Sequence, residues 1–577
     1  FVKGNHTYTV GISYEKFEFD NSFNLGAYGA QGVFFPTADI QSFRDAEGNP
    51  TAEANLVNFY QGLFNDAIAA DASFNAAGVG NPGGWALAET NVGQFAFYLQ
   101  DEWNVSENFK LTYGVRFDRP LYFDTAKKIR ENIDRKGGVF NPNDFSGGTY
   151  QPTIDYFSPN TGQIVNLDSE QLPSNKPLVS PRVGFNWDVK GENRTQVRGG
   201  TGIFTGRFPF VWLGNQVQGV DFFFYQLVDP DFKWPQVWRT NFGADHRFDS
   251  GVTLSADLSY TKDINGVHVQ NWALNNPSGS LEGVDNRPVY ESSDIATNEF
   301  GGPTNAYVFT NDDQGRVWNA TLKASKSFDN GLYTSLAYNY LDAKDVNSIE
   351  AEITGDAFAG NAISGNANDA VLSNSRYGDK HRFIGVASKK FIYGSNDKFA
   401  TTISTFFEYA RGGRFSYTYG GDLNGDGSNF NDLIYIPTTG ELQQMNFSGA
   451  GQAAAFEAFI SQDDYLSDNR GSYAERYGAL SPWRGRWDIK VLQDINFKVG
   501  GKTHTLQLSA DVLNFGNLLN SDWGVVEVPN SIQPLGVSVD ANNNPTYTFD
   551  GNLTETFSAD VSLLSRWQAQ FGVRYIF

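Results

Sequence analysis

Arg566-Trp567-Gln568-Ala569-Gln570-Phe571-Gly572-Val573-Arg574-Tyr575-Ile576-Phe577 is the stretch that decides the fold. Read at a period of two, Trp567, Ala569, Phe571, Val573, Tyr575 and Phe577 share one side. Arg566, Gln568, Gln570, Gly572 and Arg574 share the other. One face is apolar and aromatic, and the other is polar or small. In a soluble sheet the apolar face would turn inward. In a membrane barrel it turns outward to lipid, and the polar face lines the lumen. On the second reading Trp567, Phe571, Val573, Tyr575 and Phe577 are membrane-interface residues and a C-terminal barrel signal.

The same two-sided pattern recurs along the chain. Tyr8, Val10, Ile12 and Tyr14 alternate with Thr7, Thr9, Gly11 and Ser13. Phe95, Phe97 and Leu99 share one side of the segment from Gln94 to Trp103. Asn104-Val105-Ser106-Glu107-Asn108 follows, a hairpin-length turn, and Phe109, Leu111, Tyr113, Val115 and Phe117 share a side of the return. Further pairs turn at Gly191-Glu192-Asn193, Asp249-Ser250-Gly251, Asp329-Asn330-Gly331, Gly394-Ser395-Asn396 and Gly500-Gly501. These six short turns alternate with long connections, such as Asp20 to Asn91, Arg119 to Pro181 and Gly412 to Arg484. Such connections reach roughly 60 to 70 residues, far beyond ordinary loop lengths.

Loops sorted by parity have no reason to exist in a soluble sandwich. They describe an outer-membrane barrel with tight periplasmic turns and long extracellular loops. The aromatics agree, because strands running toward the short turns end on Phe248, Phe328, Phe391, Phe497 and Phe577. Trp238, Trp318, Trp487 and Trp567 stand at the opposite ends, as two interfacial girdles require. The expected fold is all-β, a transmembrane antiparallel up-and-down barrel of about 14 strands. The competing reading, a soluble all-β protein with aromatic core strands, leaves the loop parity unexplained.

Composition narrows the function. The 577 residues include 48 Phe, 27 Tyr, 12 Trp and 60 Gly, a mixture that suits strands and turns. A net charge of −22 argues against a nucleic-acid partner. With no cysteine there is no disulfide frame, thiolate metal site or cysteine nucleophile. No run of about 18 apolar residues offers a transmembrane helix, but barrel strands average out as polar and need none.

At this point the residues resemble a known family. Phe97-Tyr98-Leu99-Gln100-Asp101-Glu102-Trp103, followed by Leu111-Thr112-Tyr113-Gly114-Val115-Arg116-Phe117-Asp118, resembles the barrel signature of TonB-dependent outer-membrane receptors. Ser180-Pro181-Arg182-Val183-Gly184-Phe185 and Val197-Arg198-Gly199-Gly200-Thr201-Gly202-Ile203-Phe204 resemble the Oar-like branch. So do Lys380-His381-Arg382-Phe383, the Asp-Leu-Asn-Gly-Asp-Gly stretch at 422–427 and Asp511-Val512-Leu513-Asn514-Phe515-Gly516-Asn517. The resemblance implies a larger barrel of about 22 strands with an N-terminal plug and a TonB-contacting segment. Residues 1–577 then read as the C-terminal part of that barrel, with the plug and the N-terminal strands outside the chain.

Few residues suggest chemistry of their own. Asp422, Asn424, Asp426, Ser428 and Asp432 place oxygen donors at near-alternate positions around Gly427, which points to Ca²⁺ in an extracellular loop. The same spacing also describes a solvated turn at a loop tip. His6, His246, His268, His381 and His504 are scattered over separate strands without metal-ligand spacing. Nothing in the sequence points to a catalytic triad, and no enzyme activity is expected. The expected lumen face carries Arg116, Asp118, Arg182, Asn186, Asp188, Asp257, Lys323, Asp488, Lys490 and Asp511. Lys326 and Lys389 fall on or near the lipid face, close to the periplasmic end, where a long side chain can snorkel.

The expected function is uptake of a large ligand across a Gram-negative outer membrane, driven by the inner-membrane proton gradient. The expected partners are outer-membrane lipid, TonB-ExbB-ExbD through an N-terminal segment outside the chain, the barrel assembly machinery and a surface lipoprotein. A surface adhesion or secretion-associated barrel and a passive porin are the alternatives.

Overall fold

A computed structural model describes residues 1–21, 88–135, 156–165, 170–218, 225–229, 231–297, 305–349 and 353–577. Residues 22–87, in the first long connection, and 136–155 and 166–169, in the second, lie outside the described residues.

Fourteen long strands form one continuous wall. They are β1 (His6–Asn21), β2 (Ala88–Ser106), β3 (Phe109–Leu121), β4 (Leu178–Asp188) and β5 (Thr195–Thr205). Next come β6 (Gln236–Arg247), β7 (Val252–Asn271), β8 (Arg316–Ser327), β9 (Leu332–Asp345) and β10 (His381–Tyr393). The last four are β11 (Phe399–Arg411), β12 (Arg484–Val499), β13 (Lys502–Leu513) and β14 (Gln568–Ile576). Each pairs antiparallel with its neighbour in sequence, from β1 through to β14.

The short turns set the register. Phe248 and Val252 close one, with the Val252 carbonyl accepting from the Phe248 amide at 2.9 Å. Phe328 and Leu332 repeat the arrangement at 2.8 Å. Gly251 and Gly331 complete these turns at φ +77° and +81°, in the left-handed region that a side chain disfavours. The first hairpin is tighter than its sequence suggests. Strands β2 and β3 run up to Ser106 and down from Phe109, with a bulge between Asn104 and Ser106.

The wall is apolar on the outside. Trp238, Phe242, Leu258, Trp318, Leu322, Leu336, Phe383 and Phe407 are all exposed on the face that carries the aromatic ends. Lys326 and Lys389 share that face near the short turns, where Lys326 Nζ stands 4.7 Å from the Phe328 ring and Lys389 Nζ 5.1 Å from that of Phe391. Phe248, Phe328, Phe391 and Phe497 form the lower aromatic level, and Trp238, Trp318 and Trp567 the upper one.

Strands β1 and β14 are not paired with each other among the described residues. Strand β14 pairs only with β13, and the far edge of β1 meets only the two-residue stub Val2–Lys3. The bare edges leave their side chains unusually open. Ile12 is 69% exposed against 36% for Phe97 one strand inward, and Phe571 is 79% exposed against 39% for Leu508.

Above the wall, the long connections fold into a cap with its own core. Tyr417, Tyr419, Ile434, Ile436, Phe456, Phe459, Leu535, Tyr547 and Phe549 are buried together there. A second cluster, with Phe208, Trp212, Phe232, Trp234 and Phe309, closes over the top of β2 at Val92. Side chains pack inward in the cap, as in any water-soluble domain.

Candidate functional site

The inner face of the wall is a field of paired charges. Arg116 Nε donates to Asp118 Oδ1 at 2.8 Å, and Gln94 Nε2 donates to the same oxygen at 2.6 Å. Lys490 reaches Asp511 at 2.9 Å, and Arg486 Nε donates to Asp488 at 2.9 Å. Arg198 bridges two strands, donating to Asp257 at 2.6 Å and also to Asp245. Asn186 accepts from Gln196 at 2.8 Å, and Asp188 from the backbone of Asn193 at 2.7 Å. Arg182 lies over the Phe204 ring at 5.5 Å. Lys323 sits opposite Ser255 and Ala337 in register. By register, all ten of these residues share the face opposite Phe242, Trp318, Leu322 and Phe407, and Phe204 is on their side under Arg182. A charge ladder of this kind suits a wet bore, since exposed pairs are worth only about 0–1 kcal/mol and signal hydration more than stability.

Asp101 is a carboxylate on the other face, which near the short turns also carries Lys326 and Lys389. Asp101 alternates with Phe97 and Leu99, so it points outward with them. Tyr113 Oη donates to its Oδ2 at 2.7 Å, and His6 Nδ1 approaches the same oxygen at 2.8 Å. The His6 ring stacks between Tyr8 and Trp103, with centroids 5.6 and 5.4 Å away. The carboxylate is thereby shut off from hydrocarbon. The sequence shows Asp101 inside the strand, but its partners become visible only with the register of three strands.

The cap holds the densest polar site. Arg287 is fully buried and grips Asp285 through Nε at 3.0 Å and Nη2 at 2.8 Å. Its Nη1 donates to Asp432 Oδ1 at 2.9 Å. Tyr419 and Tyr473 each donate a hydroxyl to Asp285 at 3.0 Å, and their rings lie 5.2 Å from the guanidinium. The other oxygen of Asp432 accepts from the Leu423 amide at 2.8 Å and that of Asn424 at 3.3 Å. Both oxygens of Asp432 are therefore committed to holding the 422–432 segment in place.

The donors of that segment are buried in the cap, with Asn424, Asp426, Ser428, Asn431 and Asp432 all enclosed while Phe430 stays exposed. Asp422 accepts from the amides of Gly425 and Gly427 at 2.7 and 2.9 Å. Asn424 Oδ1 accepts from the amide of Asp426, and Asp426 Oδ1 from that of Ser428. Asp426 Oδ2 accepts from Asn424 Nδ2 at 3.2 Å and Asn431 Nδ2 at 2.7 Å. Asn431 is 1% exposed, and its Oδ1 has no hydrogen-bond partner. Burial, with Asp432 and Asp422 close by, pushes the Asp426 carboxyl well above the ordinary carboxylate range. The structure brings Asp422, Asn424, Asp426 and Ser428 together and adds Asn431. Among the described residues no group of three or more His, Cys, Asp or Glu side chains is placed to hold a metal ion.

The segment also ties separate connections together. The Asn424 carbonyl accepts from the Tyr290 amide at 2.7 Å, and the Asn431 carbonyl from that of Ile363 at 2.7 Å. Gln533 Nε2 donates to the Asn429 carbonyl at 2.8 Å. The five histidines go to different partners. His246 meets Thr195, His268 meets the Asn368 carbonyl, His381 meets Tyr338 and His504 meets Tyr575.

An apolar band between two aromatic levels, a polar inner face and loops sorted by parity define an outer-membrane β-barrel wall. The chain lies in the outer membrane. Residues 1–223 match the model of a family described as "Outer membrane beta barrel domain". No curated protein matches the chain. Among solved structures, the chain is similar to the outer membrane transporter YddB from Escherichia coli at 10% identity, over 84% of this chain and 46% of that one, with a TM-score of 0.42. It is similar to the FrpB iron transporter from Neisseria meningitidis (F5-1 variant) at 11% identity, over 89% and 49%, with a TM-score of 0.41. It is also similar to the siderophore receptor PirA from Acinetobacter baumannii at 9% identity, over 89% and 48%, with a TM-score of 0.40. The chain spans a little under half the length of these structures.

Proposed function

We propose that this chain is wall and outer cap of a TonB-dependent transporter of the Oar-like branch, taking up a large ligand in a Gram-negative bacterium. One observation carries the reading: an ion-paired inner face stands in a sheet whose first and last long strands do not pair with each other among the described residues, the far edge of β1 meeting only Val2–Lys3. Hydrocarbon does not tolerate unpaired backbone donors and acceptors, so β1 and β14 need partners in the membrane. Further strands outside this chain would supply them and widen the bore enough for a plug. TonB would act through a segment outside this chain, using the inner-membrane proton gradient. The cap would receive the ligand, with a surface lipoprotein as its partner.

The test is twofold. Planar-bilayer recordings of the protein expressed from its whole reading frame should show no steady pore, and the protein should co-purify with the periplasmic domain of TonB. Steady conductance would favour a passive porin, and closed channels without TonB binding an adhesion or secretion barrel; either result sinks the reading.

We also propose Ca²⁺ for the 422–432 segment, held by Asp422, Asn424, Asp426, Ser428 and Asn431, with Asp432 fixing the loop from behind. The buried, partnerless Oδ1 of Asn431 beside the Asp426 carboxylate supports this, because such an oxygen calls for a cation or a donor. Removing divalent ions with EGTA should expose the cap to protease, and Ca²⁺ should restore protection. Equal cleavage rates with and without Ca²⁺ would rule the ion out.

A further inference from the structure

The outer surface of the wall carries a groove that its girdle function does not require. It lies where β11 and β12 meet the connection that follows β13, and has a volume of about 910 Å³. Phe407, Tyr409, Trp483, Trp487 and Trp523 line it. Phe407, Tyr409 and Trp487 belong to the lipid-facing side of the wall, since Tyr409 opposes Gly485 and Phe407 opposes Trp487 in register. Trp483 stacks on Tyr409 with centroids 4.8 Å apart and planes 8° from parallel. The groove therefore continues the upper aromatic level.

Its far wall is an arm, 514–527, that folds back from the top of β13. Asn514 starts the arm at φ +52° and anchors it twice. Its amide donates to Asp488 Oδ1 at 2.8 Å, and its Nδ2 to the Gly524 carbonyl at 2.9 Å. Asn517 Nδ2 holds the carbonyls of Ser521 and Trp523 at 2.9 and 3.0 Å. Phe515 meets the lipid-facing Trp487 edge to face at 5.0 Å. With the arm pinned this way, Leu518, Leu519 and Trp523 are left exposed beside the girdle. Three large apolar side chains open on one short arm suit a segment lying in the interface, because each one buried in lipid contributes roughly 1.5–3 kcal/mol.

We propose that the 514–527 arm lies in the outer leaflet and that the groove beneath it holds the hydrocarbon chain of one lipid. The occupant is argued from continuity: the floor of the groove is the girdle itself, and the exposed leucines extend the same apolar surface outward. The volume falls within the range of roughly 300–1,000 Å³ usual for ligand pockets. Arg486, Asp522 and Glu527 also line the groove and supply its charged groups.

These 577 residues contain no cysteine, so a label placed at one of them is unique within this chain. Leu519→Cys and, as a cap control, Phe430→Cys are each labelled with an environment-sensitive fluorophore in the full-length protein. The labelled proteins are inserted into phosphatidylcholine vesicles with or without brominated acyl chains. The label at 519 should be quenched by the brominated chains and shielded from aqueous iodide, and the label at 430 the reverse. Iodide reaching both sites equally overturns the proposal. Shielding of 519 from both quenchers overturns it too, because protein rather than lipid then covers the arm. Native mass spectrometry separates the groove from the arm. Trp523→Ala should lower the occupancy of one tightly retained lipid about tenfold, the weight of one aromatic side chain's buried surface. Unchanged lipid retention in that variant leaves no groove-bound chain and refutes that half of the proposal.

Discussion

The wall and the cap are made by the same chain under opposite solvents. In the wall, apolar side chains such as Leu322 and Phe242 face outward, and charges such as Arg198 and Asp257 pair on the inside. In the cap, Phe456 and Tyr547 are buried in a core, and the largest internal charge, Arg287, is enclosed completely. The wall is held by ladders between strands that follow one another in the chain, even where a long connection separates them, as 95 residues separate His6 from Asp101. The cap is held by contacts between connections far apart, such as the one from Arg287 to Asp432 across 145 residues. The comparison teaches that the membrane acts as half of the wall's core, whereas the cap has to supply its own.

Four substitutions, two of them read against a matched partner, sharpen or break this division. The largest effect is expected from Arg287→Met, which leaves Asp285 and Asp432 buried without their cation and should cost the cap about 3–5 kcal/mol. The cap should become protease-sensitive while the wall keeps its heat-modifiable migration on gels. Joint loss of both would show that the two regions do not fold independently. Next comes Leu322→Lys, a charge placed on the lipid face near the middle of β8, at about 2–4 kcal/mol. Urea titration in lipid vesicles should register that cost, while Thr321→Lys, its neighbour on the inner face, should be close to neutral. Equal costs at 321 and 322 would contradict a wet interior.

A smaller loss is expected from Tyr113→Phe. It removes a hydrogen bond from the outward-facing Asp101 and should destabilise the wall by about 1–3 kcal/mol, measured in the same titration. The smallest change is expected from Phe328→Leu, which removes the ring beneath Lys326 and should cost about 0.5–1 kcal/mol. The mirror change Phe391→Leu under Lys389 should match it.

What the sequence made legible follows the same line. The strands, the six turns, the two aromatic levels and the face that the ten polar residues share follow from a period of two, which needs no partner to be read. Even so, β7 runs past the end of its apolar alternation at Leu254, Ala256, Leu258 and Tyr260 to Asn271, where the cap takes over its pairing through residues 307–312. Asp101 was visible only as part of a motif, because its outward placement depends on His6 and Tyr113 on neighbouring strands. At 422–432 the donors were legible and their setting was not. The burial comes from Arg287, Tyr290, Ile363 and Gln533, and no local pattern points to any of them. Arg287 itself carried no sequence signal at all.

The inequality of the two rims has a further consequence. A turn such as Phe248 to Val252 has no spare residue, so an insertion there would shift the register of a whole hairpin. The opposite rim already accommodates a folded cap among its connections. Descendants of this chain can therefore lengthen, shorten or recombine only on the outward side. The surface presented to the environment is free to diverge, while the underside facing the cell must stay nearly fixed in length.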